Sequence, residues 1–384
     1  MEKIFNEIIK TYDKKSVLST LKGIIKIPSV SGEEKKLAQF IRGKLEQLGV
    51  EVSIQKITEN SENVVAMIKG NGCGPTILIA GHLDTVAPLD GWLTDPFEPV
   101  EEEDKIYGLG AADMKAGIAT ILSVVELIVR NKLELKGDLI ISLVADEERY
   151  SKGVKKFLDM GVKADVAFMV EPAFYKAVIG AAGKMLILSK VKGKACHAAN
   201  PYEGINAIEE ASKFIANLGR IETLKHQKIK PQPYVTLNMN GGYEKYSITV
   251  PDSCTFTLNK HTVPGETKEF VIEQLIKLKN TLNLKADFIF EIVEPYYTPY
   301  TVDENLTYLK TLKDVYKNVT NNELGLCYSN GVSDSNCLVE KGGIPTINFG
   351  PSGGPIHAPN EWESKKQLFD TIEIYFRLIV KHLL

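Results

Sequence analysis

In this 384-residue chain the side chains best suited to chemistry are acids and histidines that follow apolar runs. GHLDTV (81–86) follows TILIA and sets His82 and Asp84 two residues apart. In extended backbone, positions i and i+2 share a face, so Asp84 can orient the His82 imidazole; a strand-end histidine with a polar neighbour has the same spacing. YGLGAADMKAG (107–117) puts Asp113 in a glycine-rich turn before a helix, a place that also suits an N-cap. VADEERY (144–150) ends an apolar run with three acids, which must be solvated, paired or metal-bound. If the backbone stays extended there, Glu147 and Glu148 face opposite ways, so that one binds a metal while the other reaches an attacking water. Glu171 ends FMVEPA, and His357 sits in the Gly/Pro-rich stretch GPSGGPIHAPNEW (350–362).

Hydrolysis by two metal ions needs this kind of set: His, Asp and Glu from separate segments, one bridging carboxylate and a base for the water. The elements that would position it are strands. EVSIQKI (51–57), NVVAMIKG (63–70), TILIAGHLD (76–84), DLIISLVADEE (138–148), VAFMVEP (166–172) and GIPTINFG (343–350) read as strands, several of them apolar enough to be covered on both faces of a parallel sheet. Residues 33–48 carry apolar side chains at helical spacing, with Ser31 and Glu34 as a capping box, and KAGIATILSVVELIVR (115–130) reads as a buried helix. Strands separated by helices indicate an α/β layered domain, and residues at the carboxyl ends of parallel strands converge on one crevice.

The middle of the chain reads differently. Strand 184–193, helix 203–219, strands 233–240 and 253–260, helix 266–280 and strand 286–293 follow the order β-α-β-β-α-β of a ferredoxin-like unit. The expected organisation is therefore a catalytic domain in two segments, 1–179 and 294–384, with a lid inserted at 180–293. EPYYTPY (294–300) reads as the return linker, and a helix near 303–318 resumes the larger domain.

Composition narrows the classes. With 44% hydrophobic and 25% charged residues and a net charge of −3, the chain reads as a soluble globular enzyme with no electrostatic case for nucleic acid or an anionic membrane. Five scattered cysteines without CxxC spacing argue against a disulfide framework and a structural zinc knot, and fit a reduced, cytoplasmic setting. MEKIFNEIIKTYDKK lacks the apolar core of a signal peptide, and no run approaches a membrane span. In the near-match to GxGxxG, Asp113 replaces the last glycine. Ser333, Asp334 and Ser335 in NGVSDSN form no GxSxG elbow, so serine-hydrolase chemistry is not indicated. His226 and His382 read as surface residues.

Taken together, GHLDTV, ADMKAG, DEE and the late GP…H…NE segment make the sequence recognisable: it resembles the M20 metallopeptidase family over essentially its whole length, inserted domain included. That family includes acetylornithine deacetylases, succinyl-diaminopimelate desuccinylases, aminoacylases and several di- and carboxypeptidases. The resemblance implies an α/β/α zinc-hydrolase domain with a ferredoxin-like lid through which two copies dimerise. It implies that His82 and Glu171 hold one zinc, that Glu148 and His357 hold the other, and that Asp113 bridges them, with Co2+ or Mn2+ as alternative metals. Glu147 would be the general base, and Asp84 would steady His82. GKACHAANPYEGINAI (193–208) resembles the block around the family's lid histidine, so His197 would stabilise the oxyanion.

The expected reaction is hydrolysis of an N-acyl amino acid. The EPA context of Glu171 and the chain length favour that branch over the alternatives, a dipeptidase, tripeptidase, aminopeptidase or carboxypeptidase. A non-catalytic binding homologue is disfavoured because every ligand and the base are present. One departure stands out. Many relatives carry a lid Asn before VPD and an Arg shortly before PG, where this chain reads YSITVPDSC (246–254) and LNKHTVPG (258–265), leaving Lys260 and His261 as candidate substitutes. Neither has the planar fork of arginine.

Overall fold

A computed structural model describes residues 2–245 and 248–384; the first two residues of YSITVPDSC lie outside them. The chain forms two compact units. One comprises the chain up to Ile179 together with Thr301–Cys327 and Ser333–Leu384; the other comprises Gly180–Tyr300 and Tyr328–Val332.

The first unit is built on a mixed sheet. Six of the sheet's nine strands run in the spatial order Glu51–Lys56, Glu62–Ile68, Leu139–Val144, Ile77–His82, Val166–Met169, Thr346–Asn348. The last four are mutually parallel; the first two join antiparallel. Every residue of 77–82 and 139–144 is buried, so both faces are covered, as their unbroken apolar runs require. Helix Ala116–Arg130 is buried nearly all round and packs on the terminal helix Lys365–Leu383 and on Lys14–Ile25. Two of these three helices, 14–25 and 365–383, are begun by a side chain, Asp13 capping Lys15 and Ser364 capping Gln367.

The capping box expected at Ser31 and Glu34 does not form. Helix Lys35–Gln47 has Glu34 at its N-cap without a side-chain cap. Both side chains are drawn elsewhere: Ser31 Oγ donates to Asp84 Oδ2 at 2.8 Å, and Glu34 Oε1 accepts the amides of Gly32 at 2.7 Å and Asp146 at 3.3 Å.

The second unit has a four-stranded antiparallel sheet in the order Tyr234–Gly241, Ser253–Thr262, Gly183–Lys192, Asp287–Tyr297, with helices Ala207–Ala216 and Lys268–Thr281. In chain order this is β-α-β-β-α-β. Strands 183–192 and 253–262 alternate buried and accessible residues, so one face meets the helices. There Phe214 packs against Phe256, Phe288 and Phe290, with centroids 5.2–5.9 Å apart. Asn206 caps the first helix and Thr267 the second. The last strand runs into EPYYTPY instead of stopping at 293, because Tyr297 and Tyr300 are buried rather than left in a linker.

Candidate dinuclear metal centre

His82, Glu148, Glu171 and His357 lie at or beyond the carboxyl ends of the four parallel strands. His82 is the last residue of its strand and lies in register with Val144, after which the chain turns through Glu147 and Glu148. Glu171 follows the neighbouring strand 166–169, and His357 lies in the segment beyond Thr346–Asn348. The tight approach of the Met114 side chain explains Gly81: a Cβ there would stand 2.3 Å from Met114 Cε. Met114 in turn accepts the His82 amide on its sulfur at 3.1 Å.

Asp113 is not an N-cap. The helix starts at Ala116, and Asp113 precedes it in a non-helical turn entered through Gly110 at φ 75°, a left-handed conformation suited to glycine. The turn points the carboxylate at both histidines: Oδ1 lies 3.1 Å from His82 Nε2 and Oδ2 lies 3.4 Å from His357 Nε2. His357 Nε2 is also 2.9 Å from Glu148 Oε1, and His82 Nε2 is 3.9 Å from Glu171 Oε1. Two potential ligand triads result, His82–Asp113–Glu171 and Asp113–Glu148–His357, with Asp113 in both; within each triad, ligand atoms lie within 4.8 Å of one another. A third such group, His82–Glu147–Glu148, brings in the remaining glutamate.

The acidic run is a turn, not extended backbone. The strand stops at Val144, Asp146 has φ 66°, and the amides of Tyr150 and Ser151 return to the Asp146 carbonyl. The expected alternation of Glu147 and Glu148 is therefore replaced by a tether. Glu147 N–H donates to Asp84 Oδ1 at 3.0 Å, and Glu148 N–H donates to Asp84 Oδ2 at 3.1 Å. Asp84 holds His82 differently from expectation as well: its backbone carbonyl meets Nδ1 at 2.9 Å, while its carboxylate is 3.7 Å away.

Charge is concentrated and desolvated here. Burial pushes Glu171 up to about 8, with His82 opposing and Asp113, Glu148 and Asp334 reinforcing the rise. Glu147 is driven well above the carboxylate range by burial, against the pull of His82 and with repulsion from Glu171, Asp334 and Glu148. Asp113 is buried too, yet its hydrogen bonds to His357 and His82 hold it below the ordinary range. Hydrogen bonds to Asp113 and Glu148 take His357 up to about 10. Crowded carboxylates interleaved with imidazoles are a hard and borderline donor set that divalent cations fit. The residues present therefore suit a metal pair.

Several supporting groups carry no obvious signal in the sequence. Ser31 and Glu34 look like helix caps, and Met114 looks like core. Glu361 lies within the late NE segment, yet nothing in its residue type marks it: it is buried and accepts the amides of Gly110, Ala112 and Asp113, each at 2.9 Å. In NGVSDSN, Ser333 caps helix Asp334–Glu340, Ser335 donates to Asn348, and Asp334 is buried and pushed up to about 7 by desolvation.

In the second unit, His197 is exposed, and its Nδ1 accepts the Ala199 amide at 3.0 Å. Lys260 cannot serve as a substrate grip: it is fully buried, donates to the Gln232 carbonyl at 2.7 Å and lies 3.5 Å from Glu266. His261 is part-exposed, with Nδ1 2.7 Å from the Asn330 carbonyl. The other two histidines are less superficial than expected. His226 caps a loop by accepting the Lys228 and Ile229 amides, and half-buried His382 packs against Tyr308 with ring centroids 4.6 Å apart and the planes tilted by 47°.

A parallel-sheet edge that gathers two ligand triads around one shared carboxylate places this chain among the metal-dependent hydrolases. A model of Peptidase family M20/M25/M40 matches residues 78–381, and the chain belongs to that family. It is 28% identical over 378 residues to a succinyl-diaminopimelate desuccinylase of Nautilia profundicola, covering 95% of this chain and 99% of the relative. Its fold is similar to that of a tripeptidase from Staphylococcus aureus, with a TM-score of 0.80 and 22% identity over 96% of this chain and 98% of the other. It is also similar to a dinuclear metal-binding peptidase of the M20 family from Bacillus subtilis, with a TM-score of 0.75 and 20% identity over 96% and 98% of the two chains.

Proposed function

We propose that this protein hydrolyses the amide bond of an N-acyl amino acid at a centre of two metal ions, zinc in the first instance. The observation that carries the reading is the pair of triads sharing Asp113. His82 and Glu171 would hold one ion, Glu148 and His357 the other, with Asp113 between them. When bound, such a pair supplies Lewis acidity and lowers the pKa of a water. Glu147 is the general base: it takes the proton of the attacking water and returns it to the leaving amine. Burial and neighbouring carboxylates raise its proton affinity, which suits that task near neutral pH. His197 is the oxyanion donor. With Nδ1 occupied by the Ala199 amide, the neutral imidazole carries its hydrogen on Nε2, where it can be donated.

The acyl-amino-acid branch is favoured by the desuccinylase relatives that align along nearly all of the chain. The peptidase reading rests on the solved structures of similar fold, among them a tripeptidase. N-acetyl and N-succinyl amino acids assayed beside di- and tripeptides, with the zinc- and cobalt-loaded enzyme, separate the two. Turnover confined to peptides would overturn the deacylase reading. The enzyme is further proposed to be a cytoplasmic homodimer. The free cysteines accord with a reducing compartment, and in the second unit the edge strand 234–241 leaves Val235, Leu237 and Met239 exposed around a bulge, apolar surface for a second copy to cover. No helix among the described residues is long and apolar enough to cross a membrane.

A further inference from the structure

Glu361 is a buried acid, 2% exposed, with no place among the proposed ligands and no role as base. Its position is fixed by a small antiparallel sheet in which Trp362–Ser364 pairs with Lys105–Tyr107, Trp362 lying opposite Tyr107. This register sets Glu361 against the loop 108–113. The backbone carbonyl of Glu361 accepts the Gly108 amide at 3.0 Å. Its carboxylate takes three more: Gly110 N–H on Oε2, and Ala112 N–H and Asp113 N–H on Oε1, each at 2.9 Å. One residue thus satisfies four amides of the loop that presents Asp113, the last of them on Asp113 itself. Such a loop has no helix or strand ladder to hold it, so its amides need partners. The same residue lies four positions after His357, the ligand on the other side of Asp113.

We infer that Glu361 is a positioning residue for the metal centre: it aims both oxygens of Asp113 and couples that loop to the segment bearing His357. This rests on the proposed metal centre. Glutamine cannot replace it, because its NH2 group would confront amide hydrogens now accepted by a carboxylate oxygen. Glu363 is a natural control. It is equally buried, and among the described residues its carboxylate accepts one hydrogen bond, from the Ser364 amide to Oε1 at 2.7 Å, which does not involve the loop.

The test compares wild type, Glu361→Gln, Glu361→Asp and Glu363→Gln by cobalt titration with metal analysis, by the visible Co2+ spectrum, and by thermal midpoint without metal. Wild type and Glu363→Gln should bind two ions alike. Glu361→Gln should bind the weaker ion about 10–100-fold less tightly, the scale for loss of a group that orients a ligand, with an altered spectrum, and Glu361→Asp should fall between. Wild-type affinity and spectrum in Glu361→Gln would overturn the inference, as would a lowered thermal midpoint with metal binding unchanged, since that marks a purely structural role. A wild type that binds no metal would instead sink the metal-centre reading, and this inference with it.

Discussion

Asp84 does more than its spacing from His82 suggests. Its carboxylate takes one hydrogen bond from Ser31 and one each from the amides of Glu147 and Glu148, while its carbonyl meets His82 Nδ1. It therefore locks the proposed base and a proposed ligand to the strand end that supplies another ligand. Asp84→Asn keeps the size but can accept on only one oxygen, leaving a Glu147 or Glu148 amide facing an NH2 group. We expect metal affinity to fall ~10–100-fold, read by competition with a chelator. The base is separable from the ligands. Glu147→Gln should lower kcat by ~10²–10⁴, the range for a general base, with both metals still bound by elemental analysis; loss of metal with activity would make Glu147 a ligand and exchange its role with Glu148. His197→Ala should lower kcat ~10²–10³ without affecting metal content, and an unchanged kcat would remove His197 from the site.

At the scale of elements, the proposed ligands His82, Glu148 and Glu171 are legible because each follows an apolar run that reads as a covered strand, whereas Asp113 and His357 sit in glycine-rich segments. Ile77–His82 and Leu139–Val144 are buried along their whole length, so the polar residues that follow must emerge at one edge. What the sequence conceals is conformation beyond the strand. Periodicity cannot show that the chain turns left-handed at Asp146, nor that Asp113 leaves helical geometry before Ala116, since both are imposed by tertiary hydrogen bonds that backbone amides donate to Asp84, Glu34 and Glu361. Ser31 and Glu34 satisfy a capping pattern, yet the buried acidic turn outcompetes the helix end for them. Close packing adds a constraint visible only in three dimensions. Met114 fills the space beside Gly81 and accepts the His82 amide, so Gly81→Ala forces the buried Met114 aside. Overpacking of this kind costs about 1–3 kcal/mol, and we expect the thermal midpoint to fall and metal affinity with it; a midpoint equal to wild type would show that Met114 repacks freely.

For the whole molecule, near-neutral net charge hides a local excess of buried acid, and this sets how stability should depend on pH with and without metal. In the metal-free protein Glu171 is raised to about 8 and Glu147 well above its ordinary value. An acid with a raised folded pKa binds its proton more tightly when folded, so its contribution is complete below the unfolded value near 4.5 and is lost as pH climbs towards the folded one. His357, raised to about 10, and His82, also raised, act in the same direction: their stabilisation is full below the unfolded value near 6.5 and fades above it. Asp113 is lowered, so its contribution is already complete at pH 5 and flat above. Chelated protein should therefore lose stability steadily from pH 5.5 to 8. Metal binding has the opposite slope, because carboxylates and imidazoles must release protons to coordinate, and a ligand that binds only the folded state stabilises it more as its affinity rises. The gap in thermal midpoint between zinc-loaded and chelated protein should widen across that interval. Parallel curves would mean that the raised groups are not those that exchange protons for metal, and the assignment of His82, Glu171 and His357 as ligands would have to be abandoned.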